Sequence, residues 1–359
     1  MHPALRIALA VALLVPGAAA AQDVPPQYFP EEAKPHLAFQ WDFLARYDNI
    51  SHLGYSYPTI SRGRFELRPE VDFIVSPTVR FGVRAVFDYG TEPNYDNALY
   101  GDNYVSRGAV VNEYYFQWTP GPWTFQAGAF EIPVAASEML WDHRDVTTPG
   151  ASLSWVHSLA ANSTLTLTAA GIYSAQRYQD KSLLGVGQAR WNWGDESRFA
   201  IQASSAFWNM DMDDVDPQYY RQNRVTTVDG KLAYVSKFQL LDNLVQLRFP
   251  IGGVPALVSL DYIHNFGTVG SGSNAYEASA TVGDVGTRGH WRAFFVYQYV
   301  GRDAVVGAYN TDDWWWHTWA EGYRVGFAYT VLPLVYVQPA FVWQKRNKLH
   351  PFLIRGFLK

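Results

Sequence analysis

From Arg62 to Phe73 the chain alternates. Phe65, Leu67, Val71 and Phe73 fall on one face, and Arg64, Glu66, Arg68, Glu70 and Asp72 fall on the other. A period of two places these residues on a β-strand, because successive side chains of a strand point to opposite faces. A strand in a soluble sandwich also alternates, but it seldom carries five charges in succession. From Val79 to Tyr89 the scheme repeats: Val79, Phe81, Val83, Ala85, Phe87 and Tyr89 oppose Arg80, Arg84 and Asp88. The turn Val75-Ser76-Pro77-Thr78 joins the two runs. Pro77 suits a turn or strand start, where its missing N–H costs little.

The same reading predicts strands at 37–47, 61–73, 77–89, 109–119, 122–132, 151–158, 163–173 and 184–193. It continues with 197–208, 225–249, 254–266, 275–283, 289–300, 321–331, 334–345 and 351–358. The segment 225–249 is too long for one strand and must bend, bulge or hide a further element. Tight turns, such as Thr119-Pro120-Gly121-Pro122 and Leu332-Pro333, follow every second strand. Longer connections, such as 90–108, 133–150 and 301–320, follow the others. A sandwich or propeller has no reason to sort its loops by parity. An antiparallel transmembrane β-barrel does, with short turns on one rim and long loops on the other. The expected fold is therefore all-β, a closed barrel of about 16 strands (14–18) with short periplasmic turns and long extracellular loops. A strand of ~11 residues, rising ~3.3 Å each and tilted ~45°, covers roughly 25 Å, the height of the apolar band of such barrels. Sixteen strands enclose an aqueous lumen rather than a packed core.

Composition agrees. The chain of 359 residues is 48% hydrophobic, yet after residue 21 it has no apolar stretch long enough for a transmembrane helix. Its 14 Trp, 23 Tyr and 21 Phe exclude global disorder and suit two interfacial girdles. Trp118, Trp123, Trp191, Trp193, Tyr329 and Trp343 lie near strand ends, although ordinary core aromatics would fit the counts as well. The absence of cysteine excludes a disulfide scaffold, a thiolate metal site and a cysteine nucleophile. A net charge of −5 leaves no basic footprint for nucleic acid.

Residues 1–21 read as a secretory signal peptide: Arg6, the apolar run Ile7–Val15, then Ala19-Ala20-Ala21 as a cleavage site. A short periplasmic segment, 22–36, then precedes a barrel spanning 37–359. Without Arg6 the mature chain has 27 basic and 33 acidic residues, a net of −6.

The polar strand faces point to the lumen. Arg64, Arg68, Arg80, Arg84 and Arg292 are the basic candidates for the pore lining, and Glu66, Glu70, Asp72 and Glu113 the acidic ones. Arg46 and Arg324 add to a wall that leans positive, while acids such as Asp211, Asp312 and Asp313 sit in loops. Rings of charge set ion preference, which points to a mild preference for anions. Interleaved Arg and Glu could instead pair across strands. The long connection 131–150 is the candidate constriction, through Glu131, Glu138, Asp142, Arg144 and Asp145. Its apolar middle (Val134, Met139, Leu140, Trp141) must pack against something, either inside the lumen or flat over the rim. The Trp314–Trp316 run can pack a loop into the mouth or stack on sugars. The acidic run Asp211–Asp216 departs from a calcium loop at Val215 and Asp216, and reads as a solvated loop or a bridge to lipopolysaccharide. No catalytic residue is assigned. His157-Ser158 and His264-Asn265 are sequence neighbours on opposite faces of a strand, and G-x-S-x-G is missing. No metal or cofactor is expected.

Three segments carry a resemblance: Gly289–Asp313, Trp141-Asp-His-Arg-Asp145 with Gly150, and Leu260–Asn265. They resemble the putative porin family of Gram-negative outer membranes. The resemblance implies passive diffusion of small hydrophilic solutes and ions, with no catalytic residues to carry over. It also implies outer-membrane lipid, lipopolysaccharide and the barrel-assembly machinery as partners, a homotrimer being compatible. The chain departs from the family in lacking a helical segment before the barrel, and in ending Phe357-Leu358-Lys359 rather than in Phe. A solute-specific channel, an outer-membrane hydrolase or an adhesin are the alternatives. Reversing the charge at Arg64, Arg68, Arg80 and Arg84 together is expected to move the reversal potential toward cations. An unchanged value would show that none of them lines the path.

Overall fold

The computed structural model describes residues 35–53, 60–90, 108–173, 183–212, 215, 221–346 and 350–358. The proposed signal peptide lies outside them. The first half of the chain folds as β1 (His36–Leu53), β2 (Ile60–Ser76), β3 (Val79–Gly90), β4 (Gly108–Trp118) and β5 (Trp123–Phe130). Next come β6 (Thr148–Ala160), β7 (Ser163–Tyr173), β8 (Leu183–Asp195), β9 (Phe199–Met210), β10 (Val225–Val228) and β11 (Lys231–Tyr234). The remainder is β12 (Phe238–Ile251), β13 (Val254–Asn265), β14 (Asn274–Gly283), β15 (Trp291–Val300), β16 (Ala320–Leu332), β17 (Val335–Val337), β18 (Pro339–Arg346) and β19 (His350–Leu358). No helix occurs among the described residues.

Each strand of the large sheet pairs antiparallel with the next one in the chain, β9 passing over β10 and β11 to meet β12. The pairing also returns to its start, β1 meeting β19 from Tyr47↔Leu358 to Leu53↔Phe352. The sheet has 17 strands, of which β17 and β18 are two halves of one: both pair with β16, and they are interrupted at Gln338. Sixteen staves result, within the 14–18 expected from the sequence. Turns of a few residues (77–78, 161–162, 252–253, 333–334) occupy one rim, and the long connections occupy the other.

The long segment 225–249 hides a further element. It is not one strand but a separate hairpin, β10–β11, followed by β12. Asp229-Gly230, at φ 50° and 79°, is the two-residue turn that makes the hairpin, and an Asp-Gly pair between alternating residues is a signal for it.

Alternation becomes an inverted distribution of polarity. On β2, Arg68 is 5% exposed, whereas Phe65 and Phe73 are 40% and 43% exposed. The same holds around the sheet, with Leu153, Leu167, Phe207, Leu260, Phe295, Val325 and Phe341 on the outside. Trp118, Trp123, Trp193, Trp291 and Tyr329 ring the short-turn end, and Tyr262, Tyr276 and Tyr323 stand toward the other. Leaving this much apolar side chain uncovered would cost about 25 cal/mol per Å² in water, so the outer surface calls for an apolar surrounding.

Gly128, at φ +126°, lies on β5 between β4 and β6. A Cβ there would come within 2.1 Å of the Tyr114 carbonyl oxygen. Gly128→Ala is expected to destabilise the sheet by about 1–3 kcal/mol, measured as a lower urea midpoint in detergent.

Candidate functional site

Two long connections turn inward from the long-loop rim. The first, 131–147, leaves β5 and rejoins β6, and its Val134, Met139, Leu140, Trp141 and Val146 are all buried. The apolar middle seen in the sequence is packed inside the ring of strands. The attachments of this loop run right round the wall. The Gln188 side chain on β8 accepts from Ala135 N at 2.9 Å and donates to Ala135 O at 2.7 Å. Thr147 Oγ1 donates to Asn112 O on β4 at 2.8 Å. The Ser137 hydroxyl donates to Asp261 on β13, and Glu138 pairs with Arg324 on β16 at 2.8 Å. On the opposite side Arg144 reaches Glu66 at 3.1 Å and Asp42 at 3.4 Å, and Arg68 holds both Asp145 and the Arg144 carbonyl.

The second connection, 301–319, is buried over most of its length. Tyr309 stacks on Trp141 at 5.0 Å and 15°, and Trp141 stacks in turn on Trp208 of β9 at 5.6 Å. Asp142 N donates to Tyr309 O at 2.7 Å, and Thr311 N to Glu138 O at 3.0 Å. The two loops therefore form one body fastened to the wall. Such stacks add about 0.5–1.5 kcal/mol per pair beyond their burial.

Acids of the second loop meet the arginines of the wall. Asp312 pairs with Arg64 at 2.5 Å, and Asp313 with Arg46 at 2.7 Å and Arg324 at 2.5 Å. These carboxylates, which the sequence places in a loop, are the counter-charges of the lumen wall. Removing one member of so buried a pair costs about 3–5 kcal/mol, because its partner is left charged in a dry site. Trp314 and Trp316 are buried, and the Gln344 side chain holds the loop by accepting from the N–H groups of Trp315 and Trp316 at 3.0 Å each. The run packs the loop inward. Stacking on sugars would need faces that Trp314 and Trp316 do not expose.

The remaining wall candidates divide by partner. Arg68 contacts Glu66, and Arg84 contacts Glu113. Glu70 faces Arg84 in the β2–β3 register, and Asp72 accepts from the Tyr115 hydroxyl at 3.1 Å. Arg80 and Arg292 instead donate to the amide oxygens of Gln117 and Gln338, at 2.9 and 2.7 Å. Glu131 meets His143 at 3.2 Å. Tyr309 and Trp208 escaped sequence reasoning. The signal for Tyr309 was the apolar run Ala304-Val305-Val306 in a long loop, the same cue that marks 131–150.

Asp142, Asp145 and Asp312 come together where the loops meet. Arg68 and Arg64 already hold two of them, and Asp142 takes the N–H groups of Arg144 and Asp145 at 3.0 and 3.3 Å. Each of the three is thus engaged by the protein itself. His157 stacks on Trp155, and His264 contacts Asn274 at 2.6 Å. Of the acidic run, Asp213, Asp214 and Asp216 lie outside the described residues, while Val215 is buried.

Comparison with known proteins follows the same lines. Residues 258–349 match the family described as putative porin, a stretch that contains two of the three resembling segments but not Trp141–Gly150. None of the curated proteins matches the chain. OprB of Pseudomonas putida superposes with a TM-score of 0.61 at 9% identity, over 90% of this chain and 93% of that one. A mutant of the Rh. blastica porin gives a TM-score of 0.50 at 10% identity, over 90% and 99%. At such identities the likeness is one of fold.

Burial, with Asp145, Glu138, Asp312 and Asp313 nearby, pushes the Asp142 carboxyl well above the usual carboxylate range. A raised carboxyl binds its proton more tightly in the folded loop, so that stabilisation is complete below the ordinary pKa and is lost as pH rises through the raised one. Asp142→Asn, which keeps the acceptor for Arg144 N and Asp145 N, is expected to flatten this dependence and increase protection of 131–147 at neutral pH. Hydrogen exchange of the loop between about pH 5 and 9 measures it; an unchanged profile would exclude Asp142 as the source.

Proposed function

We propose that the chain is an outer-membrane porin, a closed barrel through which small hydrophilic solutes and ions diffuse passively. The inverted polarity carries this reading: apolar side chains stand exposed outside the ring while charges are buried within it. In hydrocarbon each backbone N–H and C=O needs an internal partner, and the return of the ladder from β19 to β1 is what such a surrounding demands. The match of 258–349 to a porin family and the likeness in fold to OprB support a channel rather than an enzyme.

The inward loops narrow the lumen, Arg64, Arg68, Arg80, Arg84 and Arg292 with Glu66, Glu70, Asp72 and Glu113 line it, and the excess of arginine gives a mild preference for anions. Lipid and lipopolysaccharide surround the apolar belt, the barrel-assembly machinery inserts it, and a trimer is compatible with the exposed outer face. Purified protein in planar bilayers is expected to produce stepwise conductance increments in potassium chloride. Folded protein that inserts without conductance would overturn the reading.

A further inference from the structure

Two sets stand out among the lumen arginines of the described residues. Those toward the long-loop rim are matched by carboxylates: Arg46 by Asp48 and Asp313, Arg64 by Asp312, Arg68 by Glu66 and Asp145, Arg84 by Glu113, and Arg324 by Asp313 and Glu138. Their side chains are 0–14% exposed. Charge paired so closely presents little net field to a passing ion.

At the other rim the pairing rule changes. Arg80 is the second residue of β3, Arg292 the second of β15, and Arg248 lies three residues before the end of β12. All three sit beside short turns and point inward, since Phe81, Phe295 and Val245 occupy the exposed outer face. Each hands a guanidinium N–H to a neutral amide: Arg80 to Gln117 at 2.9 Å, Arg248 to Gln246 at 2.9 Å, and Arg292 to Gln338 at 2.7 Å. Carboxylates approach only loosely, Asp72 at 3.9 Å from Arg80 and the largely exposed Glu196 at 3.7 Å from Arg248. Asp284, on the turn before β15, is taken by His290 at 2.7 Å. An amide fixes a guanidinium without cancelling its charge.

We propose that Arg80, Arg248 and Arg292 form the anion-selecting ring of the channel, at the short-turn end, and that it favours small anions such as chloride and monocarboxylates. The carboxylate-matched arginines hold the inward loops and contribute little to selectivity. This rests on the channel reading above. Glutamine acts here as a holder: it sets each side chain in place and leaves the positive charge for the solute. Because these groups border water, their field is screened by salt, over about 10 Å at 0.1 M and about 3 Å at 1 M.

The test is the reversal potential of single channels across gradients of potassium chloride, then potassium acetate. Wild type is expected to prefer the anion at low salt and to lose most of that preference at about 1 M. In R80Q/R248Q/R292Q the anion-to-cation permeability ratio should fall to one or below, while R80K/R248K/R292K, which keeps the charge, should retain it. A conducting glutamine triple with the wild-type ratio, or a lysine triple that loses it, overturns the assignment. If the glutamine triple does not assemble, the three single variants should each lower the ratio, and no change in any of them overturns it equally. Absence of conductance in wild type would instead sink the channel reading itself.

Discussion

The structure depends on a hydrogen-bond ladder that returns to its first strand. Because β19 hands its partners back to β1, the backbone groups of the sheet are satisfied between strands, and the outer face is free to be entirely apolar. That freedom permits the inversion of polarity on β2, where Phe65 and Phe73 face outward and Arg64, Glu66 and Arg68 inward. A one-residue slip in register would exchange the faces of a whole strand, so the alternation of the sequence and the pairing of the strands enforce each other.

An interior lined with charge creates a second requirement. Buried arginines need counter-charges, and the strands alone do not supply enough. Asp145, Glu138, Asp312 and Asp313 come from two loops, and the same loops share an apolar body built on Trp141, Tyr309 and Trp208. Hydrophobic packing brings the acids to the wall, and the wall in turn fixes the position of the packing.

Local periodicity and turn chemistry made the staves legible, since both are written in neighbouring residues. A strand count of about sixteen (14–18) and the parity of the connections follow from the chain alone. The hairpin β10–β11 was legible only as excess length in 225–249, because its two strands of four residues each are too short to show a period of their own. The inward course of 301–319 escaped for a different reason. Asp312 and Asp313 look solvated until they are set against Arg46 and Arg64, more than two hundred residues earlier in the chain. The split between amide-held and carboxylate-held arginines is likewise a property of three-dimensional neighbours. Arg64, Arg68, Arg80 and Arg84 share one alternating pattern, yet Arg80 alone is held chiefly by a glutamine.

Several fasteners of the inward loops grip main chain rather than side chain. Gln188 takes both the N–H and the C=O of Ala135, Thr147 finds the carbonyl of Asn112, and Gln344 receives two successive N–H groups and returns its own to the Trp316 carbonyl. Apart from proline, which lacks the N–H, every residue offers the same peptide group. Such a tether is indifferent to the identity of the segment it holds, so lineages descended from this scaffold can rewrite the bore while the loops stay moored at the same points.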